Sequence, residues 1–135
     1  ADARANYITV LTLLRRHGEL AAVLRDSMKR EPDNLGHAAN LAWMLATSPD
    51  AAVRNGREAV EIVRGVMARA PAPSADLNDI LAAALAESGD FAGAIAASRQ
   101  AIDLAEQPGS GLGPEVVAAF KARLELYRAG KPARE

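Results

Sequence analysis

Two histidines, His17 and His37, are the side chains of this sequence best suited to metal binding or proton transfer near neutral pH. Neither has a second histidine or a carboxylate at ligand spacing on the same helix face, and such sites need several converging groups. Cysteine is absent, which excludes thiolate catalysis and disulfides. We therefore expect no enzyme activity, metal or cofactor, with His17 as a helix-end cation and His37 as a surface residue.

A glycine-rich run at 109–113, with the sequence Gly-Ser-Gly-Leu-Gly, precedes a predicted helix and could suggest a phosphate cradle. Phosphate-binding loops of that type follow an apolar strand and continue into Lys-Ser or Lys-Thr. The run has neither feature, so we interpret it as a flexible connection.

Aromatic and acidic side chains provide the remaining candidate, which is a peptide-binding groove. Trp43 is the lone tryptophan, and counting from Ala42 as a small packing position turns its ring toward the groove. An apolar anchor beside an acidic rim suits an extended or helical peptide with apolar and basic side chains. The alternative is that Trp43 packs under the loop at Pro49. The predicted groove residues are Ala39, Asn40, Trp43, Thr47, Asp76, Asp79, Ala83 and Glu87.

The elements that must position these residues are helices. Half of the 135 residues are apolar, only 4% are aromatic and alanine is abundant, so we expect one all-α domain built from close helix contacts. Apolar residues recur at spacings of three and four, and the pattern predicts seven helices. They form pairs at about 4–32, at about 33–71 with an insertion at 48–54, and at about 74–107, followed by a helix at about 114–130.

Helix boundaries are marked by glycine, proline and capping side chains. Gly18 suits the left-handed position that ends a first helix. Asn55 and Glu58 have the spacing of a capping box, and Ser74 or Asp76 can begin the next helix. Pro114 is favoured at a first helical position.

The stretch 81–95 combines small and large apolar residues around a Gly-Asp-aromatic turn and resembles the centre of a tetratricopeptide repeat. Ala59 and Ala94 are 35 residues apart, close to the period of about 34 residues in that family. The resemblance implies a right-handed superhelical solenoid of three helical hairpins sealed by a C-terminal capping helix. It also implies a scaffold that binds a protein or peptide.

Segments 40–50, 55–60 and 126–132 further resemble the C-terminal repeat arrays of large bacterial proteins, particularly those of planctomycete type. Some relatives of the repeat family grip a C-terminal carboxylate with basic side chains. Asn40 matches one position of that clamp, but Ile8, Asp76 and Ile80 stand at the basic positions, so we do not expect an acidic tail as ligand.

A formal charge of −1 gives no general attraction to nucleic acid or to an anionic membrane. No apolar run approaches the length of a bilayer span, so we expect no direct membrane contact. The first residue is not methionine, which suggests a segment of a longer protein, and the compartment stays open. A second hypothesis is a structural or oligomerisation appendage, self-associating through an apolar strip at Tyr7, Val10 and Leu14.

Overall fold

The structure is a computed structural model that describes residues 17–134. Over this range the chain is helical and contains no strand, which confirms the all-α prediction there. It contains six helices where seven are predicted for the whole chain, and the predicted helix around Ile8–Leu14 lies outside the described residues. The helices are α1 (His17–Arg30), α2 (Leu35–Thr47), α3 (Gly56–Arg69), α4 (Ala75–Glu87), α5 (Phe91–Glu106) and α6 (Pro114–Arg128).

Four helices begin at a polar side chain that accepts a hydrogen bond from a free backbone amide of the first turn. Asn34 accepts from Gly36 at 3.0 Å, and Asn55 accepts from Glu58 at 3.1 Å, as the capping-box spacing predicts. The other two caps are Ser74, at 3.3 Å from its donor, and Asp90, at 2.8 Å. Local sequence therefore determines where α2, α3, α4 and α5 begin.

The prediction that Gly18 ends a helix is wrong. Gly18 lies within α1 (His17–Arg30), and it is not among the glycines with positive φ. A glycine near a helix end fits either side of the boundary, because its missing Cβ permits left-handed geometry without requiring it. Gly89, between α4 and α5, does adopt the left-handed conformation, with a φ of 93°.

Consecutive helices contact each other throughout the described range, and α2 also contacts α4 directly. The connection between α2 and α3 spans residues 48–55, and that between α4 and α5 spans only residues 88–90. The additional α2–α4 contact places the first helices of these two pairs side by side. Residues from both helices can therefore share one surface.

The interior is built largely from small side chains. Ala42, Ala59, Ala82 and Ala94 are fully buried, with 0% of their surface exposed. Alanine at a helix contact lets two backbones approach closely. Leu41, also at 0%, packs in the same cluster as Ala42 and Ala59. This arrangement explains how a chain with few aromatic residues still forms closely packed apolar clusters.

Two segments outside the helices fold against this core. The connector at 48–55 returns to the end of α2, where the backbone N–H of Asn55 donates to the carbonyl of Leu45 at 2.8 Å. The segment after α6 also turns inward, because Ala133 is only 3% exposed and packs in the cluster that contains Ala82 and Tyr127. Both segments approach the C-terminal end of α4, where Glu87 lies.

Candidate binding surface

The eight predicted groove residues lie on α2 and α4, which contact each other directly. Their exposure differs widely. Asn40 and Asp76 are exposed, and Ala39, Trp43 and Glu87 are half-buried. The remaining three, Thr47, Asp79 and Ala83, are buried.

The burial of Thr47 and Ala83 narrows the surface that a ligand could touch. Thr47 is 0% exposed and its hydroxyl donates to the carbonyl of Trp43 at 2.7 Å, within the same helix. Ala83 is 1% exposed and belongs to the main core. These side chains were expected to face the groove, but they pack inside, so a ligand on the surface of this structure would not contact them.

Asp79 is buried because it is paired with an arginine from a distant part of the chain. Arg123, on α6, donates from Nε to Oδ1 of Asp79 at 3.0 Å and from Nη2 to Oδ2 at 2.9 Å. Both donors of one edge of the guanidinium therefore meet both carboxylate oxygens. Such bidentate ion pairs are stronger and more directional than single charged hydrogen bonds.

Arg123 also contacts two aromatic rings. The central carbon of its guanidinium lies 5.2 Å from the centre of the Trp43 ring and 5.5 Å from the centre of the Phe120 ring. Both distances are within the range of cation–π attraction. We call Trp43, Asp79, Phe120 and Arg123 the Arg123 cluster. It joins α2, α4 and α6 at the predicted groove.

The electrostatics of the cluster are dominated by burial. Loss of hydration raises the pKa of the Asp79 carboxyl above its usual value, although the hydrogen bonds and charge of Arg123 act in the opposite direction and the charge of Asp76 adds to the rise. Burial likewise raises the pKa of Tyr127, with a further contribution from the negative charge of Asp79. The Tyr127 hydroxyl is buried and has no hydrogen-bond partner among residues 17–134.

Glu87, the last acidic residue of the predicted rim, is also paired within the chain. Its carboxylate oxygens lie 3.5 Å from Nε of Arg54 in the connector and 2.7 Å from Nη1 of Arg134. Only Asp76 of the three predicted rim acids is left exposed. The chain's own arginines therefore neutralise most of the negative charge expected to attract a basic ligand.

Sequence reasoning missed Arg123, although one signal for it was present. Phe120, Leu124 and Tyr127 form the buried stripe of α6, and Arg123 is three residues after Phe120, on the same side of the helix. A charge on an inward stripe needs an opposite charge nearby, because an unpaired buried charge is costly. Asp79 likewise lies on the inward side of α4, among the buried residues Ala75, Ala82 and Ala83. The sequence therefore contained two inward-facing charges of opposite sign, and pairing them with each other could have been predicted.

The other candidate chemistry gains no support from the described part of the chain. His37 is half-buried and not on the surface as expected, and its Nε2 lies 3.6 Å from a carboxylate oxygen of Glu31. No group of three potential metal ligands occurs among residues 17–134. The glycine-rich run connects α5 to α6, with Gly109 and Gly111 at positive φ. The side chain of His17 lies outside the described part of the structure.

No helix of the described chain is both long and apolar enough to cross a membrane. Comparisons of the chain with protein-family models, curated proteins and solved structures find no match. What the surface can do therefore follows from its own residues. The ring of Trp43 and the carboxylate of Asp79 together hold the planar guanidinium of Arg123. The exposed residues Asn40 and Asp76 lie on the same helices, α2 and α4.

Proposed function

We propose that this chain is a protein-interaction module of the tetratricopeptide-repeat type, which binds a peptide or a partner helix on the surface shared by α2 and α4. The observation that carries the proposal is the direct contact between these two helices. In repeats of this type the first helices of successive hairpins line the concave face of a right-handed superhelix. The surface centres on Trp43 and includes Ala39, Asn40 and Asp76.

Equivalent positions in the two described pairs support a repeat. Ala42 and Ala82, in the first helix of each pair, are both 0% exposed, and so are Ala59 and Ala94 in the second helices. Repeats of this type tend to place a small residue at the same close contact in successive units. Two such matches, one in each helix of the pair, favour successive copies of one hairpin.

The last helix has the distribution expected of a cap. Its inward residues, Phe120, Leu124 and Tyr127, are buried. Lys121, Glu125 and Arg128 are exposed along an adjoining side of the helix, where Lys121 forms an ion pair with Glu106 of α5. A solenoid needs a terminal element that covers its last apolar surface, and the buried side of α6 fits that role.

Selection of peptides tests the proposal. A library of displayed peptides is screened on the wild-type chain, and the affinity of each selected peptide is measured by calorimetry. Trp43→Ala is expected to weaken binding about 30-fold, as for a central aromatic anchor worth about 2 kcal/mol. Gln100→Ala, at an exposed position of α5, is the matched control and is expected to leave the affinity unchanged.

A thermal melt of Trp43→Ala separates binding from folding. If the variant loses much stability and still binds the selected peptides as the wild type does, the ring acts in the core and the surface around it is not the binding site. Failure to select any peptide that depends on Trp43 contradicts the proposal in the same way.

The second candidate function is a structural or oligomerisation appendage of a larger protein. The pairing of Asp79 and Glu87 with the chain's own arginines favours it, because a surface that satisfies its own charges has less to offer a free ligand. Tyr7, Val10 and Leu14, the predicted self-association strip, lie outside the described residues. Sedimentation at increasing protein concentration distinguishes the candidates, since only the appendage predicts assembly without any added ligand.

A further inference from the structure

The contacts of Arg123 define a binding site for a planar cation. One edge of its guanidinium donates hydrogen bonds to both carboxylate oxygens of Asp79. The guanidinium also lies against the rings of Trp43 and Phe120. Charge, planar shape and aromatic contact are all satisfied at once. An arginine is better suited to such a site than a lysine, because an ammonium group neither stacks on a ring nor forms a fork with a carboxylate.

The site can be vacated without dismantling α6. The side chain of Arg123 is 23% exposed, so one side of it already faces solvent. Besides Phe120, the apolar residues that hold α6 in place are Leu124 and Tyr127, which are 7% and 1% exposed. Rotation of one long side chain therefore opens the site, while the helix keeps its buried contacts.

A purely stabilising role explains the pair less well. The side chain of Asp79 is only 8% exposed, and removing a carboxylate from water costs much of what its pairing returns. Well-packed apolar residues of similar volume often join two elements at least as well as a buried ion pair. The pair is better explained by recognition, for which charge and geometry matter more than net stability.

We propose that Trp43, Asp79 and Phe120 form a guanidinium site at which an arginine side chain of the partner competes with Arg123. This inference rests on the proposed function and specifies its ligand, which is a peptide or helix carrying an arginine beside apolar residues. Asp76, exposed on α4 three residues before Asp79, adds negative charge near the site. Arg123 occupies the site in the unbound chain.

Competition with Arg123 sets the affinity of the partner. Apparent affinity falls in proportion to the fraction of molecules whose site is open. If Arg123 occupies the site in about nine molecules of ten, its removal strengthens binding about tenfold. The internal arginine thereby excludes weak cations and admits a ligand that makes further contacts with α2 and α4.

The first test uses ethylguanidinium as the probe and Trp43, the single tryptophan of the chain, as the fluorophore. Arg123→Ala is titrated with millimolar ethylguanidinium, with neutral ethylurea as the control. We expect a saturable change in fluorescence and a higher melting temperature with ethylguanidinium alone. The wild type should respond at least about tenfold more weakly, because its site is filled.

Asp79 provides the matched control. The double variant Arg123→Ala/Asp79→Asn keeps both rings and loses the carboxylate charge, so it should not respond. Equal responses of the single and double variants would overturn the proposal. If Arg123→Ala does not fold, Arg123→Gln replaces it in the same comparison, because glutamine retains the apolar stem and lacks the positive charge.

The second test uses the peptides selected as described under the proposed function. Replacing an arginine of such a peptide by citrulline retains the shape and removes the charge, and we expect at least about a tenfold loss of affinity on Arg123→Ala. Peptides that bind equally well with citrulline would overturn the guanidinium site and leave the proposed function standing. If no peptide is selected while ethylguanidinium still binds as expected, the proposed function fails and the cation site remains.

Discussion

Gly56 lies so close to Ser88 that a Cβ added to the glycine would be 2.7 Å from the backbone nitrogen of Ser88. It would also be 2.8 Å from the carbonyl carbon of Glu87. Gly56 is the first residue of α3, and Ser88 directly follows α4, so the two helices meet here through their backbones. Only glycine allows this approach, because backbone atoms cannot move aside as a flexible side chain can.

Gly56→Ala is therefore expected to destabilise the fold by about 1–3 kcal/mol, the usual cost of forcing extra atoms into a packed contact. Gly65→Ala is the matched control in the same helix, since Gly65 is exposed and an added Cβ would meet nothing within 4 Å. It should stabilise by about 0.5–1 kcal/mol through helix propensity. Urea unfolding measures both changes, and equal effects would contradict the close contact.

Ala82→Leu and Ala94→Leu place a large side chain at fully buried positions of α4 and α5. Overpacking should cost about 1–3 kcal/mol in each case. Ala92→Leu makes the same change at an exposed position of α5 and should alter stability by less than about 0.5 kcal/mol. Thermal melts of all three variants test this expectation. Unchanged melts for Ala82→Leu and Ala94→Leu would argue against a close α4–α5 contact.

Arg123 and Asp79 should respond unequally to truncation. Arg123→Ala leaves a buried carboxylate without its partner and is expected to cost about 1–3 kcal/mol, less than for a fully buried pair because Arg123 is partly exposed. Asp79→Ala removes the buried charge, and Arg123 can then turn to solvent, so the change should stay within about 1 kcal/mol. A double-mutant cycle by urea unfolding measures the coupling, and strictly additive effects would contradict the pairing.

The contribution of Asp79 to stability should depend on pH. Burial raises the pKa of its carboxyl above the usual 3.8, despite Arg123. A carboxyl group with a higher pKa in the folded than in the unfolded chain contributes stability below its unfolded pKa, and this contribution is lost as the pH rises through the folded pKa. The free energy of unfolding of the wild type minus that of Asp79→Asn should therefore fall as the pH rises from 3.8.

Above that acidic window the same difference should be constant. The measurement is urea unfolding of both proteins at a series of pH values between about 3 and 7. A difference that increases with pH across the window would mean that the pKa is lowered, and that Arg123 outweighs the loss of hydration.

The helix starts were predictable because their determinants are local. Asn55 and Glu58 are three residues apart, and Pro114 begins α6 as its preference indicates. Gly18 shows the limit of such signals, because it fits on either side of a helix boundary. Local sequence rules thus predict that a helix boundary is near more reliably than they predict whether a given residue lies inside or outside the helix.

The surface was harder to predict because it depends on contacts distant in sequence. Helical spacing from Ala42 predicts approximately which face of α2 carries Trp43. It does not predict the burial of Thr47, which lies where the connector folds back on the end of α2. Asp79 and Arg123 are 44 residues apart, so no local pattern connects them. The acidic rim could be predicted from helical spacing along α4. The arginines that neutralise it could not, because their positions depend on how α6 and the segment after it pack.

The pairing of Glu87 with Arg134 has a consequence for the order of folding. Most helix contacts here join neighbours in the chain, and such contacts form fast because only short loops must close. The ion pair of Glu87 with Arg134 instead closes a loop that contains all of α5 and α6, at a higher entropic cost. We therefore expect the segment after α6 to be the last part to settle during folding and the first to exchange its amide hydrogens in the native protein.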